Sequence, residues 1–150
     1  MTRVGVRLPV EDDWQTIRDL AELADDVGVS SLWLPEGWER NVIPVMTRTL
    51  ATTEGPDVCS GIFNVYSRSP ALLAMTARGL CDDFGDRVRL GLGVSARPVI
   101  EDFHGVEFGS PLRRTREYIE VIRTLLAGER LDYDGEYFEG LCDRVLSRKR

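Results

Sequence analysis

The chain has 150 residues, 43% of them hydrophobic, and a formal net charge of −6. That is one ordinary domain's worth of chain, with enough apolar content for a core. An acidic balance of this size excludes a phosphate-neutralising nucleic-acid binder or a ligand of anionic membranes, and arginine carries nearly all the positive charge, Lys149 being the only lysine.

Val4-Gly5-Val6-Arg7-Leu8 reads as a first strand, ended by Pro9, and it follows Met1-Thr2-Arg3 with no signal peptide between. No apolar run is long enough for a membrane span, so a cytoplasmic, soluble protein is expected. Asp12 or Asp13 caps a helix whose apolar residues, from Trp14 and Ile17 to Val27, recur at helical spacing until Gly28. Ser31-Leu32-Trp33-Leu34-Pro35 is a second strand, apolar enough to be covered on both faces. A turn, Glu36-Gly37-Trp38-Glu39-Arg40-Asn41, leads to a second helix over Val42 to Thr53, where Pro44 is tolerable only in the first turn.

The third strand runs Val58 to Val65 and hands over, through Tyr66-Ser67-Arg68, to a helix over Pro70 to Asp83 that Ser69 is placed to cap. The fourth strand is Val88 to Gly93. Arg97 to Gly109 is less regular and opens with a short helical turn. Ser110-Pro111 starts a helix that ends at Gly128, and Asp134-Gly135 between alternating runs predicts a hairpin over Leu131 to Phe138. The order is four βα units plus an appended hairpin, hence a parallel α/β sheet with right-handed crossovers. Residues 1–138 form this domain, and 139–150 form an atypical basic tail, either a short surface helix or a stretch read past the end of the genuine sequence.

Polar or glycine-rich strand ends next to helices are where such sheets keep their chemistry. Two of them are adjacent here, at Asn64 to Pro70 and at Gly91-Leu92-Gly93-Val94-Ser95. Cys59, Cys81 and Cys142 have neither disulfide-framework nor zinc-site spacing. They read as small residues in a reducing compartment, and no metal is expected. His104, the only histidine, lacks a companion in sequence for a triad or metal role.

Four segments in order, Trp33-Leu34-Pro35-Glu36, Asn64-Val65-Tyr66-Ser67-Arg68-Ser69-Pro70, Arg89-Leu90-Gly91-Leu92-Gly93-Val94 and Arg123-Thr124-Leu125-Leu126-Ala127-Gly128-Glu129, are joined by the hairpin Tyr133-Asp134-Gly135-Glu136-Tyr137-Phe138. On these the chain resembles the luciferase-like superfamily of flavin- and deazaflavin-dependent oxidoreductases. It is most similar to the deazaflavin (coenzyme F-420) branch that includes methylenetetrahydromethanopterin reductase. The resemblance implies the N-terminal half of a TIM-type (β/α)8 barrel and hydride transfer between a deazaflavin and a small organic substrate. The alternatives are an FMN-dependent monooxygenase of the same superfamily and an inactive truncated half-barrel. With the usual phosphate-gripping strands beyond this half, the chain alone is expected to bind cofactor weakly and to be inactive. Its open sheet edges invite a homodimer or the missing C-terminal half as partner.

The same resemblance implies a cis peptide at Gly61–Ile62 supporting the cofactor ring; an ordinary strand with a close-packing glycine is the alternative. Asn64 is implied as a ring-edge contact, against use in a turn. Arg68 is implied as a partner for an acidic group, against a surface role. Glu36 is the candidate proton donor or acceptor, since Gly37 stands where many relatives carry histidine. A plain solvated carboxylate is its other reading. Trp38 would wall the pocket or pack the rim. Gly91-x-Gly93-x-x-Ala96 formally fits a dinucleotide fingerprint, but no strand with a terminal acid follows it. Gly93 is therefore read as room for a flat ring, and Ser95 as a hydrogen-bond donor.

Overall fold

The computed structural model describes residues 3–38 and 40–143. The elements in chain order are β1 (Gly5–Arg7), α1 (Trp14–Asp26), β2 (Ser31–Leu34), α2 (Val42–Thr52), β3 (Asp57–Ser60), β4 (Phe63–Asn64), α3 (Pro70–Phe84), β5 (Val88–Arg89), β6 (Leu92–Gly93), a π-helical turn (Val99–Phe103), α4 (Pro111–Ala127), β7 (Leu131–Asp134) and β8 (Glu139–Cys142). The chain divides into two compact units. The first takes the residues up to Phe63 together with Asp83–Leu92, and the second takes Asn64–Asp82 and the residues from Gly93 on.

The first unit is a parallel sheet in the order β1-β2-β3-β5. Its register aligns Val6, Leu32, Val58 and Val88 in one row and Arg7, Trp33, Cys59 and Arg89 in the next. Alternation sends these rows to opposite faces. Leu32, Leu34 and Val58 are fully buried, as are Ile17 and Ala21 of α1 and Val42, Met46 and Leu50 of α2, so this face and these helices carry the core. The expectation that β2 is covered on both faces fails at Trp33, which is 42% exposed. Its indole lies along the strand, with Nε1 donating to Ser31 Oγ at 3.0 Å.

Local sequence explains the helix ends. Asp13 caps α1 by accepting from Thr16 N, which holds its carboxyl below the ordinary range, and Gly28 beyond the helix has φ +75°. At the start of α2, Asn41 Oδ1 accepts from Ile43 N at 3.0 Å, Glu36 Oε1 accepts from Val42 N at 3.3 Å, and Pro44 has no N–H to satisfy. Arg87 donates to the carbonyls of Leu50 and Pro56 and so ties the C-terminal turn of α2 to the loop before β3. Asp25 accepts from the amides of Glu54 and Gly55 at 2.7 and 3.1 Å.

The second unit has α4 at its centre. Tyr118, Val121, Ile122 and Leu125 are buried, as are Leu73, Ala74, Ala77 and Leu80 of α3. Arg78 Nη2 donates to Leu126 O near the end of α4, and Gly128 terminates that helix in the left-handed region, its amide returning to Leu125 O. Tyr66 and Phe108 stack at 5.4 Å, and the Tyr66 hydroxyl donates to Phe108 O.

Four readings from sequence are corrected. The run Val58 to Val65 is two strands, broken at Gly61–Ile62, and Val88 to Gly93 is broken at Leu90–Gly91. The short strands β4 and β6 so produced pair with each other. The helical turn expected at the start of Arg97 to Gly109 is present: Arg97 and Pro98 are α-helical, and Val99–Phe103 continue as a π-helical turn. The hairpin is not closed by a two-residue Asp-Gly turn. Asp134 pairs with Glu139, and residues 135–138 form the loop, Gly135 N bonding to Phe138 O at 2.9 Å. The cause is Glu117 of α4, 7% exposed, whose carboxylate accepts from the amides of Glu136, Tyr137 and Phe138. Glu139–Cys142, read as the opening of the tail, is therefore the second hairpin strand; the rest of the tail, 144–150, lies outside the described residues.

Candidate functional site

Parallel strands deliver their C-terminal tips to one end of the sheet. In the first unit Leu34 is in register with Ser60, and Gly61 N donates to Leu34 O at 2.9 Å. Pro35-Glu36-Gly37-Trp38 and Gly61-Ile62 thus leave neighbouring strands side by side, with Leu8-Pro9-Val10 following β1 beside them through the bond from Leu8 N to Trp33 O. The Gly61–Ile62 peptide is cis, as the resemblance implies.

The break after β3 is held by a residue that sequence reading passed over. Ser60 is fully buried, and its hydroxyl accepts from Gly91 N at 2.9 Å and donates to Gly91 O at 3.0 Å. Gly91 O also accepts from Phe63 N at 2.8 Å. A Cβ on residue 91 would lie 2.1 Å from Ser60 O, so this approach requires glycine. A buried serine at the end of an apolar run, with a glycine at the matching point of the next strand, is the signal that could have found the pair.

Glu36 is half-buried, with one carboxylate oxygen engaged at the start of α2. Trp38 is 56% exposed. Beside it is a cavity of about 260 Å³, lined by Arg7, Val10, Glu11, Pro35, Trp38 and Arg40. All of these lie at the end of β1 or in the loops after β1 and β2, the end of the sheet where α/β proteins bind ligands.

The remaining candidates belong to the second unit. Asn64 is 7% exposed, and its Oδ1 accepts from Tyr66 N at 3.0 Å and Ser67 N at 2.7 Å. The turn use weighed against cofactor contact is thus present. Its Nδ2 faces His104 Nε2 at 3.4 Å, a partner that spacing did not reveal because forty residues separate the two. Arg68 Nη1 donates to Ser67 Oγ, and Arg68 O accepts from the Tyr118 hydroxyl at 3.2 Å. Ser69 Oγ accepts from Leu72 N, the predicted cap. Gly93 O accepts from Val65 N at 3.0 Å. Ser95 is exposed and in the left-handed region with φ 58°, uncommon for a residue with a side chain.

Among the described residues no group of three or more His, Cys, Asp or Glu side chains could hold a metal ion, and no helix is long and apolar enough to cross a membrane. Cys59 is buried between Trp33 and Arg89 in the register, and burial, followed by the Asp57 charge, pushes its thiol up.

The sequence profile of the family described as luciferase-like monooxygenase matches residues 1–149. The chain is 30% identical over 138 residues to 5,10-methylenetetrahydromethanopterin reductase of Archaeoglobus fulgidus, a match covering 91% of this chain and 41% of that one. It is 30% identical over 133 residues to the enzyme of the same name from Methanolobus tindarius, covering 88% and 40%. Among solved structures, the coenzyme F420 dependent tetrahydromethanopterin reductase from Methanopyrus kandleri superposes with a TM-score of 0.85 at 25% identity, covering 95% of this chain and 45% of that chain. The chain spans less than half the length of these relatives. Its parallel α/β order is that of part of a TIM-type barrel.

Proposed function

This chain belongs to the luciferase-like monooxygenase family, and from that premise we propose that its strand ends serve hydride transfer between a deazaflavin and a small organic substrate. The observation that carries the proposal is the register of β2 and β3, which brings Glu36 and Trp38 to the same sheet end as Gly61 and Ile62. The coenzyme F420 dependence printed in the name of the Methanopyrus kandleri structure, 25% identical, supports a deazaflavin over FMN.

The residues present fit the ring end of such a cofactor. Gly61 and Ile62 are half-buried at the strand end, and residue 61 carries no side chain to stand in the way of a flat ring. Gly61 and Ile62 would hold the ring; when bound, the deazaflavin supplies the hydride. The chain's own part is to exclude water with Trp38 and to deliver the accompanying proton. With glycine at residue 37, the proton carrier in this proposal is the Glu36 carboxyl.

Glu36→Gln tests it. Glutamine retains an oxygen for Val42 N but cannot exchange a proton. In place of the inactive chain expected from sequence, the proposal expects measurable turnover of reduced deazaflavin, falling by ~10²-fold or more in this variant, with unchanged melting and no oxygen uptake in either protein. Oxygen consumption with reduced FMN, or full activity in Glu36→Gln, overturns it.

A further inference from the structure

Two cationic side chains stand at the cavity of the first unit, and hydride transfer makes no use of them. Arg7 ends β1 and Arg40 follows β2, and both residues line the opening. Glu11 also lines it. Its two oxygens take 2.9 and 3.1 Å hydrogen bonds from a single nitrogen, Arg7 Nη2. A guanidinium has five N–H donors in a fixed fork, so this contact orients Arg7 and still leaves donors for another acceptor. With one carboxylate between two arginines, the rim is net positive in a chain whose charge is −6.

The walls differ from the rim. Val10, Pro35 and the half-exposed Trp38 present apolar and aromatic surface. The volume, about 260 Å³, lies just below the ~300–1,000 Å³ of pockets that take drug-sized ligands. It suits a compound of one ring. A planar aromatic face for stacking and a forked cation for a carboxylate are complementary to one chemical class.

We propose that this cavity binds a small aromatic carboxylate, its ring against Trp38 and its carboxylate at Arg7 and Arg40. The proposal rests on reading this sheet end as the ligand-binding end, and it gives that site a substrate class.

The test uses the whole chain without deazaflavin. Benzoate and its neutral counterpart benzyl alcohol are titrated while the Trp38 indole N–H is followed by NMR, the resonance assigned by its loss in Trp38→Phe. Benzoate is expected to shift that resonance saturably and to bind at least tenfold more tightly than benzyl alcohol. Arg40→Gln should weaken benzoate by about tenfold, leave benzyl alcohol unchanged and leave the remaining spectrum intact; Arg7→Gln serves as the second variant. Equal affinity for the two probes, shifts that map away from Trp38, or benzoate binding untouched in both arginine variants overturns the proposal. Because no deazaflavin is present, benzoate binding can fail while hydride transfer stands, and hydride transfer can fail while benzoate binding stands.

Discussion

Replacing Glu117 by alanine removes the acceptor of three backbone amides at once. The carboxylate is 7% exposed, taking Glu136 N at 3.1 Å on one oxygen and Tyr137 N at 2.8 Å with Phe138 N at 3.3 Å on the other. A hydrogen bond to a charged group is worth ~1.5–3 kcal/mol net. The three share two oxygens and only one is short, so their values do not add. The expected loss is about 3 kcal/mol, or roughly 6–12 °C in melting temperature for a chain of this size. Glu117→Gln keeps one acceptor but turns an NH2 group toward the loop amides, and should lose about half as much. Urea unfolding followed by circular dichroism measures the loss, and hydrogen exchange locates it. The amides of Glu136, Tyr137 and Phe138 should exchange faster while those of α1 do not change. An alanine variant within about 0.5 kcal/mol of the parent, the range of ordinary surface substitutions, refutes the claim that Glu117 organises the hairpin loop.

Two further outcomes follow from the geometry. Gly91→Ala should destabilise by about 2–3 kcal/mol, because its Cβ meets the Ser60 carbonyl at 2.1 Å and a rigid backbone must move; a parent-like urea midpoint would contradict this. Tyr133 is pushed up to about 12 from 10, by burial first and then by its 2.6 Å hydrogen bond to Glu120. A raised phenol favours the neutral form in the folded protein, so its contribution to stability is complete below pH 10 and is lost as pH rises through about 12. Phenolate absorbance should show a late-titrating tyrosine that vanishes in Tyr133→Phe, and its persistence in that variant would disprove the assignment.

Most helices were legible in the sequence because their signals are local. The Asp13 cap, the Gly28 and Gly128 stops and the Ser69-Pro70 start depend on residues within one turn. The break at Gly61–Ile62 falls where the resemblance implies a cis peptide, whereas nothing local marks the break at Leu90–Gly91, and the Ser60–Gly91 clamp that accompanies them spans thirty-one residues. The hairpin misreading has the same origin. Asp134-Gly135 satisfies the local turn rule, but a carboxylate on α4 decides the loop. In the candidate site, position at the end of a strand pointed to Glu36 and Trp38, and the resemblance pointed to Gly61 and Ile62. The side chains that engage Asn64, and the pairing of Arg7 with Arg40 around one cavity, required coordinates.

The two rows of the four-stranded sheet also police their own assembly. Sliding β2 by one residue along β1 or β3 would turn Leu32 and Leu34 out toward water and force the indole of Trp33 under α1 and α2. A one-residue slip in either direction therefore forfeits a full set of buried leucine contacts, which fixes the face that each row presents although the strands are only two to four residues long.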